Sequence, residues 1–207
     1  MPLRPQRKGT EDHIDALQLF LSRHQPLHTT LEDRLFGDLS EDQARQRPNE
    51  QVNPIAWIVW HAARAEDFVI NRIITQGRQV LDEPEWPARL NISRRDVATG
   101  MNDDEVTEFS ANVNVPPLRA YCAAVGQRAR AVVQALAPEA LDAPIDAANA
   151  QSAFGEKGNV TEAGSWVGRI FDGRRTGDVL MQIALLHVAT HVGEANVTRA
   201  LLGYRSR

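Results

Sequence analysis

The chain has 207 residues, a single cysteine and a formal net charge of −4 at pH 7. This length fits one domain with a substantial core, and the acidic balance argues against a nucleic-acid partner, because phosphate binding needs clustered Lys and Arg. The lone Cys122 excludes an intrachain disulfide and a cysteine-based zinc cluster. We expect one domain over residues 1–207, with residues 1–10 as a flexible tail.

The sequence also carries no signal for export or membrane insertion. The segment from Met1 to Gly9 is basic and contains proline, and no apolar region of a secretory signal follows it. A run of about 18 or more apolar residues, which a membrane span requires, is not found. These features predict a cytoplasmic protein without a membrane partner.

Apolar residues at three- and four-residue spacing predict four long helices, of which the first covers about residues 11–36. Pro26 lies inside this segment and is expected to kink or split the helix, because proline lacks the amide hydrogen that the helix needs. A short helix should follow from Ser40, whose hydroxyl can cap it while Gln43 reaches back.

The second long helix has the clearest start in the sequence. Asn53 is a favourable N-cap, and Pro54 suits the first helical turn. The apolar pattern then continues to about Gly77. Similar patterns predict a third helix over about residues 116–137 and a fourth over about residues 176–202.

Two long connections separate these helices. Residues 78–115 are polar and are expected to hold one short helix around residues 104–112. Residues 143–177 are predicted to form a glycine-rich loop between the third and fourth helices, and long loops are often functional. The sequence therefore predicts an all-α four-helix bundle with short extra helices, since this architecture buries every apolar stripe.

Three histidines lie on the apolar faces of the second and fourth predicted helices. His187 and His191 are four residues apart, which places their side chains on one helix face, about 5–6 Å apart. His61 lies in the most apolar part of the second helix, so a facing helix can bring it to the same point. Three imidazoles suit a divalent ion and leave coordination positions open. The alternative is a set of three hydrogen-bonded core histidines.

The other histidines and the cysteine are interpreted differently. His24 and His28 share the four-residue spacing, but Pro26 lies between them and polar residues surround them. We predict that this pair is partly exposed, with His28 as a possible pocket residue. His13 is expected to be solvated, and Cys122 is expected to be a small buried residue.

Two segments carry a resemblance to a known family. Residues 53–67 read NPIAWIVWHAARAED, and residues 187–194 read HVATHVGE. These paired motifs and the layout of the helices resemble the DinB/YfiT superfamily of bacterial four-helix-bundle metalloproteins. The resemblance implies that His61, His187 and His191 bind a divalent ion such as zinc or nickel, and that the chain forms a homodimer.

Some members of that superfamily are transferases or isomerases that use mycothiol, bacillithiol or glutathione. The resemblance therefore implies a small-molecule substrate and a metal-dependent attack by a low-molecular-weight thiol on an electrophile. Glu194 would orient a ligand imidazole or act as a base, and Trp57 and Trp166 would line the pocket. The alternatives for these residues are a salt bridge at the helix end for Glu194 and a plain core role for each tryptophan. The alternatives are a metal-dependent hydrolase and a non-catalytic, metal-binding helical dimer.

Overall fold

The structure, a computed structural model, describes residues 15–37, 39–156 and 158–204. These ranges are helical, with one isolated antiparallel bridge between Pro144 and Arg175 and no strand. None of the described helices is long and apolar enough to span a membrane. The predicted tail at residues 1–10 and the predicted solvation of His13 lie outside the described residues.

The predicted all-α fold is confirmed, and the long helices lie where the apolar pattern places them. In chain order the α-helices are α1 (Ala16–Thr29), α2 (Glu41–Arg45), α3 (Ile55–Asp67), α4 (Glu85–Leu90), α5 (Asp103–Asn112), α6 (Val115–Ala135), α7 (Ala147–Gly155), α8 (Thr176–Leu180) and α9 (Val188–Leu201). Wider π-helical turns extend α1 as Thr30–Arg34, extend α3 as Phe68–Ile74, and join α8 to α9 through Met181–His187. Such turns often occur at functional sites.

The first long helix is continuous through its proline. α1 runs past Pro26 to Thr29, and the hydroxyl of Thr30 donates to the Pro26 carbonyl at 3.0 Å. The helix is therefore not split at Pro26, and a kink at this residue stays a prediction. A helix packed along α6 tolerates one missing hydrogen bond, because tertiary packing supplies most helical stability in proteins.

The starts of α2 and α3 differ in how well the sequence predicts them. The capping box of Ser40 and Gln43 is present, as predicted. Asn53, however, is not the N-cap of α3, because Pro54 occupies that position. The side-chain amide of Asn53 instead donates a hydrogen bond to Glu194 at 3.0 Å.

Both long connections contain more helix than the sequence predicts. Residues 78–115 hold α4 as well as the predicted α5, together with a short 3₁₀ helix, Val80–Asp82. Residues 143–177 hold α7 and the 3₁₀ helix Ser165–Phe171, so the predicted glycine-rich loop is largely structured. Another 3₁₀ helix, Pro138–Asp142, precedes it.

The core is centred on α3, whose 13 residues are all buried. This helix packs against α6 on one side and α9 on another. Trp60 of α3 is fully buried between Phe109 and Tyr121, with ring centroids 5.3 and 5.8 Å away. Cys122 lies in the same core, as predicted. Burial on all sides leaves α3 little freedom to shift the polar groups that it carries.

A buried polar network ties the segment after α3 back onto that helix. The carboxylate of Asp67 accepts hydrogen bonds from the Tyr121 hydroxyl at 2.6 Å and from the backbone amides of Val80 and Leu81 at 2.8 and 3.0 Å. Arg64 donates to the same carboxylate at 3.2 Å. Because buried polar groups must be paired, this network holds the backbone at Val80 and Leu81 against α3.

Candidate metal centre

Three imidazoles meet where α3 faces the junction between Met181–His187 and α9. The Nε2 atom of His187 lies 3.2 Å from Nε2 of His61 and 3.2 Å from Nε2 of His191. Two ligands with metal–nitrogen bonds of about 2.0–2.1 Å are about 2.8–3.4 Å apart at octahedral to tetrahedral angles. The two measured spacings therefore fit one small divalent ion, and all three ligand atoms lie within 4.8 Å of one another.

Hydrogen bonds on the far side of two rings fix which nitrogen faces the cluster. Nδ1 of His61 donates to the Val97 carbonyl at 2.5 Å, and Nδ1 of His191 donates to Glu194 at 2.8 Å. A neutral imidazole has one N–H, so Nε2 of both rings carries a lone pair. The Nε2 lone pairs of His61 and His191 thus both point toward His187, and a metal cation among the three rings would accept both.

Burial keeps two of the three rings, His61 and His187, in the neutral form that binds metals. Burial, with a further contribution from neighbouring His191, lowers the pKa of His61 to about 4. Burial, together with the two other imidazoles, lowers the pKa of His187 to about 3. Both of these rings are therefore neutral at pH 7, so protons do not compete with a metal ion for their lone pairs.

Glu194 supports the cluster from outside. Its Oε2 accepts the hydrogen bond from His191, and its Oε1 accepts the hydrogen bond from Asn53. Burial would raise the pKa of Glu194, but these hydrogen bonds outweigh burial and lower it. An ionised carboxylate behind a ligand histidine orients the ring and increases its basicity. The role of Asn53 was missed, because its sequence context suggests a helix cap.

The carbonyl that orients His61 belongs to a segment held in an unusual backbone conformation. Ala98 has a φ of 66°, which residues other than glycine seldom adopt, and its amide donates to Asp96 at 2.8 Å. The amide of Val97 donates to the Asn159 carbonyl at 3.1 Å, and Arg64 donates to the preceding Arg95 carbonyl at 2.6 Å. Strain that is held by several hydrogen bonds is typical of functional sites.

The two tryptophans predicted to line the site lie in different settings. Trp57 stacks on His61, with ring centroids 5.0 Å apart and planes 13° from parallel. It therefore forms an apolar wall beside the cluster. Trp166 lies on the 3₁₀ helix Ser165–Phe171 and is 52% exposed. Its place at the site remains a prediction.

The predicted exposure of the other histidine pair is wrong. His24 and His28 are fully buried, and their Nε2 atoms lie 2.8 and 2.7 Å from the carboxylate of Glu66. Burial by itself would lower the pKa of His28, but the charge of Glu66 and hydrogen bonds raise it to about 10. Both rings lie on a buried stripe with helical spacing, and this spacing indicates their burial. The stripe consists of Leu17, Phe20, His24, His28, Leu31 and Leu35.

Comparison with known proteins identifies the family. The model of the DinB superfamily matches residues 29–195. A conserved protein from Enterococcus faecalis has a similar crystal structure, with a TM-score of 0.63 and 19% identity, over 92% of this chain and 99% of that chain. At this identity the likeness shows the fold alone. No curated protein matches the chain. Because the family model covers most of its length, the chain belongs to the DinB superfamily.

Proposed function

We propose that this DinB protein is a metalloenzyme in which His61, His187 and His191 bind one divalent ion, with zinc or nickel as the expected metal. The supporting observation is that Nε2 of His187 lies 3.2 Å from Nε2 of both His61 and His191, so the three rings converge. A purely hydrogen-bonded cluster needs protons between the nitrogens. Two of the rings, however, direct their N–H toward Val97 and Glu194, so a single N–H on Nε2 of His187 would have to serve both nitrogen–nitrogen contacts.

The setting of the cluster supports a role in catalysis. A divalent ion held by three imidazoles keeps coordination positions free, and it acts there as a Lewis acid that lowers the pKa of a bound thiol or water. His187 and His191 are only partly buried, so a small molecule can reach the cluster. Trp57 excludes water beside His61.

The attacking thiol must come from outside the chain. Cys122 is the only cysteine, it is buried, and burial raises the pKa of its thiol. We therefore infer that a low-molecular-weight thiol, such as mycothiol, bacillithiol or glutathione, is the nucleophile. The thiol releases its proton to solvent, its thiolate forms a sulfur–carbon bond with the electrophile, and the leaving group departs with its electron pair. Glu194 accepts hydrogen bonds from His191 and Asn53, and its proposed role is to orient His191.

Thiol-transfer assays with matched variants test this proposal. Protein loaded with Zn²⁺ or Ni²⁺ is incubated with each thiol and a panel of electrophiles, before and after removal of the metal with a chelator. Activity should disappear on chelation, return with the metal, and be absent from His187→Ala. Thr190→Ala, an exposed change on the same helix, should remain active.

Two results would contradict the proposal. Thiol transfer that persists in His187→Ala or in chelated protein would exclude the metal mechanism. Metal-dependent turnover that needs no thiol would replace the transferase with the alternative hydrolase.

Light scattering on the same preparations measures the mass of the protein in solution and tests the expected homodimer.

A further inference from the structure

We propose that His24, His28 and Glu66 form a second metal site, separate from the three-histidine centre. The Nε2 atom of His24 lies 2.8 Å from Oε1 of Glu66, and that of His28 lies 2.7 Å from Oε2. All three side chains are fully buried. The three groups therefore meet at one point inside the bundle.

The donor set indicates the class of ion. Two imidazoles and one carboxylate bind divalent first-row transition metals such as zinc, cobalt or iron, whereas calcium and magnesium prefer oxygen ligands. Each ring faces a different oxygen of the same carboxylate. An ion between them would replace the protons that now hold rings and carboxylate together. The ligands must separate slightly to admit it, because their spacing is that of hydrogen bonds.

Residues of three helices, α1, α3 and α6, form this site. The rings of His24 and His28 lie one turn apart on α1 and stack with centroids 4.4 Å apart. Glu66 approaches from α3, and Gly126 of α6 leaves room for a ring, since a β-carbon there would overlap Nδ1 of His28. Apolar residues of similar volume often stabilise a core as well as a buried ionic cluster does. Stability alone is therefore a weak explanation for these groups.

The second site is distinct from the three-histidine centre. His61 and Glu66 are five residues apart on α3, so their side chains leave the helix in directions that differ by about 140°. The DinB family model begins at residue 29, so His24 and His28 lie outside the matched region.

Cobalt titration of the whole protein tests the inference. Co²⁺ is added to metal-free protein, and bound metal is measured by elemental analysis and by visible absorption. Wild type should bind two equivalents. The double variant His61→Ala/His191→Ala should keep one equivalent, because its second site is untouched. Adding Glu66→Gln to the double variant should reduce binding to none or weaken it at least tenfold.

The outcomes separate the two sites. One equivalent in wild type and none in the double variant would overturn the second site and leave the cluster as a hydrogen-bonded ion pair. One equivalent in both proteins would support the second site and overturn the three-histidine centre. If Glu66→Gln fails to fold by circular dichroism, His24→Gln in the double variant replaces it, with the same loss of binding expected.

Discussion

Replacing Glu194 by alanine should weaken metal binding while leaving all three proposed ligands in place. The carboxylate accepts a hydrogen bond from His191 at 2.8 Å, and its side chain is 30% exposed. A hydrogen bond to a charged group contributes about 1.5–3 kcal/mol, and partial exposure places this one in the lower half of that range. About 2 kcal/mol corresponds to a loss in affinity of about 30-fold, within the range of about 10–100-fold for lost partners of metal ligands.

Competition with a chromophoric zinc chelator at fixed pH measures this loss. Glu194→Gln should fall between wild type and Glu194→Ala, because an amide oxygen still accepts from His191 but carries no charge. Asn53→Ala should have a smaller effect, since it leaves the bond to His191 in place. Glu139→Ala, an exposed change far along the chain, is the control. A zinc affinity of Glu194→Ala within twofold of wild type would refute the reasoning.

Three further predictions concern the bundle itself. Gly126→Ala should lower the free energy of unfolding of metal-free protein by about 1–3 kcal/mol, because the added methyl group overpacks the core. Gly193→Ala should raise it by up to about 1 kcal/mol, because the methyl group meets open space in a helix. Urea titrations that rank the two variants in the opposite order would contradict the packing described. Because burial raises the pKa of Cys122, a thiol reagent should label it only after unfolding, and rapid labelling of native protein would show that the core opens. Arg64→Met removes the cation beside buried Asp67 and should lower the free energy of unfolding by about 3 kcal/mol or more. A loss below about 1 kcal/mol would show that the other hydrogen bonds stabilise the Asp67 carboxylate without Arg64.

The parts of the fold that depend on local periodicity could be predicted from the sequence. The long helices follow from apolar spacing, and the meeting of His61 with His187 and His191 follows from their apolar settings. The neighbours of a residue in sequence do not predict its contacts where tertiary packing decides them. Asn53 resembles a helix cap, yet it bonds to Glu194, which lies 141 residues away along the chain.

Other parts of the candidate site have no sequence signature. The carbonyl of Val97 orients His61, but every residue has a carbonyl, and only the folded path of the chain selects this one. The burial of His24 and His28 does have a signature, the apolar stripe that they share with Phe20 and Leu31, although polar neighbours on other faces of the same helix obscure it. Their partner Glu66 is on a different helix, so only the packing of α1 against α3 brings them together.

Anomalous diffraction at the zinc edge tests the central claim most directly. Crystals grown with Zn²⁺ should show a peak at about 2.0–2.1 Å from Nε2 of each of His61, His187 and His191. Absence of a peak among these three rings, in crystals that hold zinc elsewhere, would contradict the proposed metal centre.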